Sequence, residues 1–151
     1  MGRLANKHVL VTGGGSGIGR TTAKVLSDEG AKVVVSDINI DAVTQTAEDI
    51  GNSVIAIKHD VTDDESWKDV LEFSETHLGK LNVLVNAAGK TLPHTGSYPN
   101  KLWDKTFSVN VKAPFILTRE LLPLFEKAKN LASVINITSI NESILQKAYN
   151  D

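Results

Sequence analysis

A cluster of glycines near the amino terminus has the spacing of a phosphate-binding turn. It forms the segment Thr12-Gly13-Gly14-Gly15-Ser16-Gly17-Ile18-Gly19. Glycine allows a tight turn and a close approach of the backbone to a pyrophosphate, which the free N–H groups at the start of the next helix bind. Position 18 is Ile18, so the spacing is T-G-x-x-x-G-x-G rather than G-x-G-x-x-G. Alone, such a cluster could be a flexible turn, but its place between a strand and a helix predicts dinucleotide binding.

An aspartate after the second apolar run is placed to contact a ribose. Asp37 follows KVVVS and lies 20 residues after Gly17. A carboxylate there accepts both hydrogen bonds of an adenosine ribose diol. A 2′-phosphate would instead meet like charge, roughly 4 kcal/mol at 4 Å and an effective dielectric near 20. Neither Ser16 nor Ile38 supplies a compensating cation, so we predict NAD(H) rather than NADP(H). The alternative is an aspartate that only caps a turn.

These residues follow short apolar runs that alternate with amphipathic segments. The runs predict strands over 7–12, 32–36, 53–58, 81–86 and 132–138. The segments between them predict helices over 17–29, 40–50, 62–77 and 101–127. Strands nearly continuous in Val, Ile and Leu are buried on both faces, and alternation with helices implies parallel right-handed crossovers. The prediction is an α/β fold, a doubly wound parallel sheet of Rossmann type with strands 1 to 5 present and C-terminal strands absent.

Two local signals refine the predicted helices. Thr62, with Glu65 three residues later, predicts a capping box that opens the third helix. Pro114 lies inside the long fourth helix and has no N–H to bond the carbonyl of Asn110, which predicts a kink there. The alternative is that Pro114 simply bends a surface helix and Asn110 is an ordinary polar residue.

Composition argues against several classes of protein. The chain has 151 residues, with 16 basic and 18 acidic side chains and a net charge of -2, which argues against a nucleic-acid binder. No apolar run approaches the roughly 18 residues of a membrane span. With no cysteine, the sequence has no disulfide or thiolate site. The four histidines lack metal-ligand spacing and are expected to be solvated or satisfied. We expect a soluble cytoplasmic protein without metal, nucleic-acid or membrane partners.

Together, the motifs resemble the short-chain dehydrogenase/reductase family over nearly the whole chain. Beyond the glycine turn and Asp37, they are Asp60-Val61, Asn86-Ala87-Ala88-Gly89, Asn110 in SVNV, and Ile135-Asn136-Ile137-Thr138-Ser139. The resemblance implies that Asp60-Val61 contacts the adenine ring. The cofactor-binding residues predicted in this way are Thr12, Gly13, Gly15, Ser16, Gly17, Ile18, Gly19, Asp37, Ile38, Asp60, Val61, Asn86, Ala87, Ala88 and Gly89.

The resemblance also implies which residues are catalytic. Ser139 would bind the substrate oxygen, and the backbone carbonyl of Asn110 would hold a water in a proton relay. A tyrosine would serve as general acid/base, with a lysine four residues later that lowers its pKa. Tyr149 stands in a matching A-Y context, but its partner lysine would fall at position 153, past the last residue, and its spacing from Ser139 is short. The alternative is a catalytic tyrosine beyond Asp151.

The resemblance therefore predicts an NAD-dependent oxidoreductase that interconverts a secondary alcohol and a ketone. The alternative is a non-catalytic dinucleotide-binding or interaction module. We expect residues 1–151 to form a single dinucleotide-binding domain, truncated near the catalytic Tyr/Lys segment and inactive alone. The resemblance also implies a homo-oligomer, either a dimer or a tetramer. It implies a small-molecule substrate as well.

Overall fold

Five parallel strands form one sheet in the order β3-β2-β1-β4-β5. The computed structural model describes residues 2–51, 53–90, 99–129 and 132–139. The strands are β1 His8–Thr12, β2 Lys32–Asp37, β3 Val54–Lys58, β4 Val83–Asn86 and β5 Ser133–Asn136. The helices are α1 Gly17–Asp28, α2 Ile40–Ile50, α3 Asp64–Leu78, α4 Asn100–Phe107, α5 Ala113–Glu120 and α6 Leu122–Glu126. The predicted α/β fold with its five strands is confirmed.

The core lies on both faces of the sheet, as the Val-rich strands predict. On one face, Leu10 and Val34 pack in a cluster with Trp67 of α3 and Leu117 of α5. On the other face, Val33 and its neighbours pack with residues of α1 and α2. Alternate strand residues point to opposite faces, so a strand covered on both sides must be apolar at nearly every position.

The order of the strands reverses beside β1. Thr12 at the end of β1 pairs with Ser36 of β2 on one side and with Asn86 of β4 on the other. The chain steps outward through β2 and β3, then returns to the far side of β1 for β4 and β5. Such a reversal opens a crevice at the carboxyl ends of the strands, where ligands bind in open α/β sheets.

The predicted capping box at the start of α3 is wrong. The helix begins at Asp64, and the Asp63 side chain caps it by accepting a hydrogen bond from the Ser66 N–H. Thr62 instead donates from its N–H and its hydroxyl to Asp60 Oδ1, at 2.9 and 2.7 Å. These two bonds hold Thr62 in the turn that precedes the helix.

The single long helix predicted over 101–127 is also wrong in detail. It consists of α4, a π-helical turn over Ser108–Lys112, then α5 and α6. The Ala113 N–H bonds the carbonyl of Ser108, five residues back. Pro114 follows immediately, and a proline cannot donate the ordinary helical bond to the residue four positions earlier. The irregularity therefore coincides with the proline that predicted it. Strand β5 is likewise shorter than predicted.

Candidate functional site

A cleft of about 870 Å³ opens at the carboxyl ends of the strands. Most of the predicted cofactor-binding residues line it: Gly13, Ser16, Gly17, Ile18, Gly19, Asp37, Ile38, Asp60, Val61, Ala87, Ala88 and Gly89. The other three, Thr12, Gly15 and Asn86, are buried beside it. The volume falls within the range of ligand pockets. The structure therefore brings residues from four separate loops together around one cavity.

The glycine turn packs so closely that it leaves no room for side chains at two positions. Gly13 has a φ of 66°, and a Cβ there would lie 2.7 Å from the backbone of Ala88. A Cβ on Gly19 would overlap the carbonyl oxygen of Gly13. The turn is also tied to the loop after β4, because Thr12 Oγ1 accepts a hydrogen bond from the Ala88 N–H at 3.2 Å. The open backbone required for close approach to a phosphate is present.

Two backbone donors fix the Asp37 carboxylate at the end of β2. The Gly15 N–H donates to Oδ2 and the Asn39 N–H donates to Oδ1, both at 3.0 Å. The bond from the Asn39 N–H shows that Asp37 caps a turn, which is the alternative role that the sequence left open. The bond from the Gly15 N–H joins the carboxylate to the glycine turn. The same carboxylate therefore contacts both the loop after β1 and the loop after β2.

Asp60 also lines the cleft and lies just after β3. Its partial burial raises the pKa, but the two hydrogen bonds from Thr62 and nearby positive charge together outweigh that effect, so the pKa of Asp60 lies below its ordinary value. The positive charge of Lys105 acts in the same direction. Lys105 also lines the cleft. The carboxylate is therefore ionised near neutral pH and available as a hydrogen-bond acceptor.

Of the three predicted catalytic residues, the structure describes Asn110 and Ser139, and neither lines this cleft. Asn110 lies in the π-helical turn, where its Oδ1 accepts from the Lys90 N–H at 2.8 Å and its Nδ2 donates to the Lys90 carbonyl at 2.9 Å. This paired contact fastens the loop after β4 to the helix. Ser139 follows β5 and is exposed. Tyr149 lies outside the described residues. The roles of all three stay predictions.

A direct contact joins the ends of β4 and β5. Asn86 Nδ2 donates to Asn136 Oδ1 at 2.8 Å.

In residues 2–51, 53–90, 99–129 and 132–139, no group of three or more His, Asp or Glu side chains is placed to hold a metal ion. No helix in those same ranges is long and apolar enough to cross a membrane.

Comparison with known proteins decides the family. The family model described as short chain dehydrogenase matches residues 7–150. The chain belongs to the short-chain dehydrogenase family.

Individual relatives agree with this assignment. The chain is 37% identical over 142 residues to the 3-beta-hydroxysteroid dehydrogenase of Comamonas testosteroni, covering 92% of this chain and 54% of that protein. It is 35% identical over 144 residues to the cyclopentanol dehydrogenase of a Comamonas strain, covering 93% and 57%. The chain thus spans about half the length of the curated relatives it matches.

A solved structure has the same fold. It is the 3-ketoacyl-(acyl-carrier-protein) reductase from Brucella melitensis, complexed with NADH. The TM-score is 0.84 at 30% sequence identity, and the match covers 90% of this chain and 58% of the reductase.

Several residues that line this cleft are not predicted from the sequence. His59, Thr62, Lys90, Lys105, Ser108 and Val109 also line it. His59 is 1% exposed, with Nδ1 at 3.0 Å from Ser36 Oγ, and among the described residues Nε2 has no hydrogen-bond partner. The expectation that every histidine is solvated or satisfied is therefore wrong for His59. Its position between an apolar strand and Asp60 was the available signal.

Burial of His59 predicts a specific dependence of stability on pH. Burial lowers the pKa of His59 from 6.5 to about 4, although the charges of Asp60 and Asp37 act in the opposite direction. The unfolded chain takes up this proton near pH 6.5, whereas the folded chain resists it until about pH 4. The contribution of neutral His59 to the free energy of unfolding is fully present above pH 6.5. About 3 kcal/mol of stability is lost as the pH falls from 6.5 toward 4.

The measurement is urea unfolding of the wild type and of His59→Asn between pH 7 and pH 4. Asparagine cannot titrate, and the carboxylates common to both proteins cancel in the difference. We expect the free energy of unfolding of the wild type to fall more steeply than that of the variant. Parallel pH profiles would contradict the buried neutral state of His59.

Proposed function

We propose that the protein is an NAD(H)-dependent oxidoreductase that transfers a hydride between the cofactor and a secondary alcohol or ketone. The observation that carries this proposal is the Asp37 carboxylate, bonded to Gly15 of the glycine turn inside one cleft. A cradle for phosphates and an acceptor for a ribose diol in the same cavity match the pyrophosphate and the adjoining adenosine ribose of a dinucleotide.

The residues present fit a dinucleotide. Gly13 and Gly19 exclude side chains from the turn, so that the backbone N–H groups at the start of α1 can face a pyrophosphate. Asp37 would accept the hydrogen bonds of the ribose, and Asp60 those of the adenine amino group. When bound, the nicotinamide supplies the site that accepts or donates the hydride.

The choice of NAD(H) over NADP(H) rests on charge. Asp37 is held in place by two backbone N–H groups. A 2′-phosphate beside this carboxylate would be repelled by roughly 4 kcal/mol at 4 Å and an effective dielectric of 20. Lys105 and Lys90 also line the cleft. The positive charge of Lys105 acts on Asp60.

The chain's own residues would orient the substrate and move the proton. Ser139 would donate its hydroxyl hydrogen bond to the substrate oxygen. The backbone carbonyl of Asn110 would hold a relay water, while its side chain keeps the loop at Lys90 in place. Tyr149 would act as general acid/base. Relatives with this family fold include dehydrogenases named for a 3β-hydroxysteroid and for cyclopentanol.

A binding module that uses the same cleft without catalysis is the second candidate. It is favoured by one observation, namely that Asn110 and Ser139 are not among the residues that line the cleft. Homo-oligomerisation and a cytoplasmic location stay predictions of the sequence.

Turnover separates the two candidates. The purified full-length protein is incubated with NAD⁺ and either cyclopentanol, a 3β-hydroxysteroid or other secondary alcohols, and NADH formation is followed by absorbance. We expect turnover with at least one of these alcohols. Ser139→Ala should lower kcat about 100-fold while leaving the NADH dissociation constant unchanged. NADH binding without turnover of any secondary alcohol would favour the binding module.

A further inference from the structure

A buried polar pair lies where β2 and β3 approach the cleft. Ser36 and His59 are 0% and 1% exposed, and Ser36 Oγ lies 3.0 Å from His59 Nδ1. Each residue immediately precedes one of the two carboxylates that line the cleft, Asp37 and Asp60. The pair therefore connects the two segments that carry these carboxylates.

The pair lies at the end of the ladder between the two strands. Asp37 and Lys58 are the last paired residues of β2 and β3. Beyond them, the His59 N–H donates to the Asp37 carbonyl at 2.8 Å. The Ser36–His59 contact adds a side-chain bond to this backbone bond. These two bonds therefore hold the segments of Asp37 and Asp60 together where the regular β2–β3 ladder ends.

His59 cannot itself contact a ligand in the cleft through Nε2. That atom is fully covered and has no partner in the described part of the chain. A buried N–H without a partner is rarer than a buried lone pair without one. We therefore assign the proton to Nδ1, which donates to Ser36 Oγ, and leave Nε2 unprotonated. The ring acts on neighbouring residues and not on a bound molecule.

We propose that Ser36 and His59 are positioning residues that fix the separation of Asp37 and Asp60, and thereby set discrimination for the adenine base. This inference rests on the proposed function, in which Asp37 accepts from the ribose and Asp60 from the adenine amino group. Each carboxylate is oriented locally, Asp37 by Gly15 and Asp60 by Thr62. The Ser36–His59 bond adds to the backbone bond from the His59 N–H to the Asp37 carbonyl in fixing one relative to the other.

The test compares NADH with its hypoxanthine analogue, in which an oxygen replaces the adenine amino group. Dissociation constants are measured by fluorescence titration of the purified full-length protein. We expect the wild type to prefer NADH about tenfold, since the analogue lacks the hydrogen bond to an ionised acceptor. In His59→Ala we expect this preference to fall below about threefold.

Conservative and matched variants separate positioning from general destabilisation. His59→Asn places an amide group at the position of Nδ1, can retain the bond to Ser36, and should restore the preference. Val54→Ala is the control, because Val54 is buried at the first position of β3, the strand that His59 follows. It should lower the melting temperature and leave the preference unchanged. Ser36→Ala removes the same bond and is measured as well, in case His59→Ala fails to fold.

An unchanged preference in His59→Ala and Ser36→Ala would overturn the inference, as would an equal loss in Val54→Ala. A wild type that binds neither nucleotide would overturn the proposed function, and this inference with it. A wild type that binds NADH and its analogue equally would overturn the inference alone.

Discussion

Gly19→Ala is expected to weaken NADH binding by at least about 100-fold and to destabilise the fold by about 2 to 3 kcal/mol. The added methyl group would overlap the carbonyl oxygen of Gly13, which is backbone and not a flexible side chain. Gly13 cannot move away freely, because its own Cα faces the backbone of Ala88. The turn must therefore open, and the N–H groups of α1 lose their common direction.

Gly79→Ala is the matched control for this substitution. Gly79 has a φ of 71°, so alanine is strained there by about 1 kcal/mol, but nothing lies within 4 Å of the added carbon. It ends α3 and does not line the cleft. We expect Gly79→Ala to bind NADH within about twofold of the wild type. Urea unfolding and fluorescence titration measure both quantities, and normal NADH binding by Gly19→Ala would contradict the assignment of the turn.

Asp37→Asn is expected to shift the ratio of NADPH to NADH affinity by about 100-fold toward NADPH. The amide keeps the size of the carboxylate but removes the charge that repels a 2′-phosphate. NADH itself should bind about tenfold more weakly, because a neutral acceptor forms weaker hydrogen bonds with the ribose. Both effects raise the ratio.

Asp28→Asn provides the control for net charge. Asp28 is exposed, pairs with Lys24 at 2.8 Å and lies at the far end of α1. It removes the same charge from the protein without altering the cleft, so the ratio should stay within about twofold of the wild type. If Asp37→Asn gave no larger shift than Asp28→Asn, Asp37 would not be the residue that selects the cofactor.

The sequence predicts the sheet well because its strands are buried on both faces. Runs such as KVVVS are apolar at almost every position, and glycines such as Gly30 mark the ends of helices. In the structure β4 lies beside β1, so Asn86 and the glycine turn share one edge of the sheet.

The sequence predicts irregular backbone less well. The capping box at Thr62 fails because the Asp60 carboxylate competes for the Thr62 N–H and hydroxyl. The π-helical turn has the same side-chain pattern as an ordinary helix, so Pro114 was the one local signal of a break. The start of α3 and the π-helical turn both depend on which hydrogen bonds form. The spacing of apolar residues in the sequence gives no information on that choice.

Some residues of the cleft can be predicted from the sequence and others cannot. Glycines and Asp37 are found by spacing, because the phosphate turn demands particular residues at particular positions. Lys105 of α4 reaches the cleft through packing between elements that are distant in the chain. A single histidine before Asp60 gives no spacing to recognise, so its pairing with Ser36 could be found only in three dimensions.

The most direct test of the central claim is titration of the purified full-length protein with NADH and, in parallel, with NADPH, followed by fluorescence. We expect saturable NADH binding, with NADPH at least about tenfold weaker because of the charge on Asp37. Equal or tighter binding of NADPH would contradict the role of Asp37. Failure of a folded sample to bind either nucleotide would contradict the assignment of the cleft.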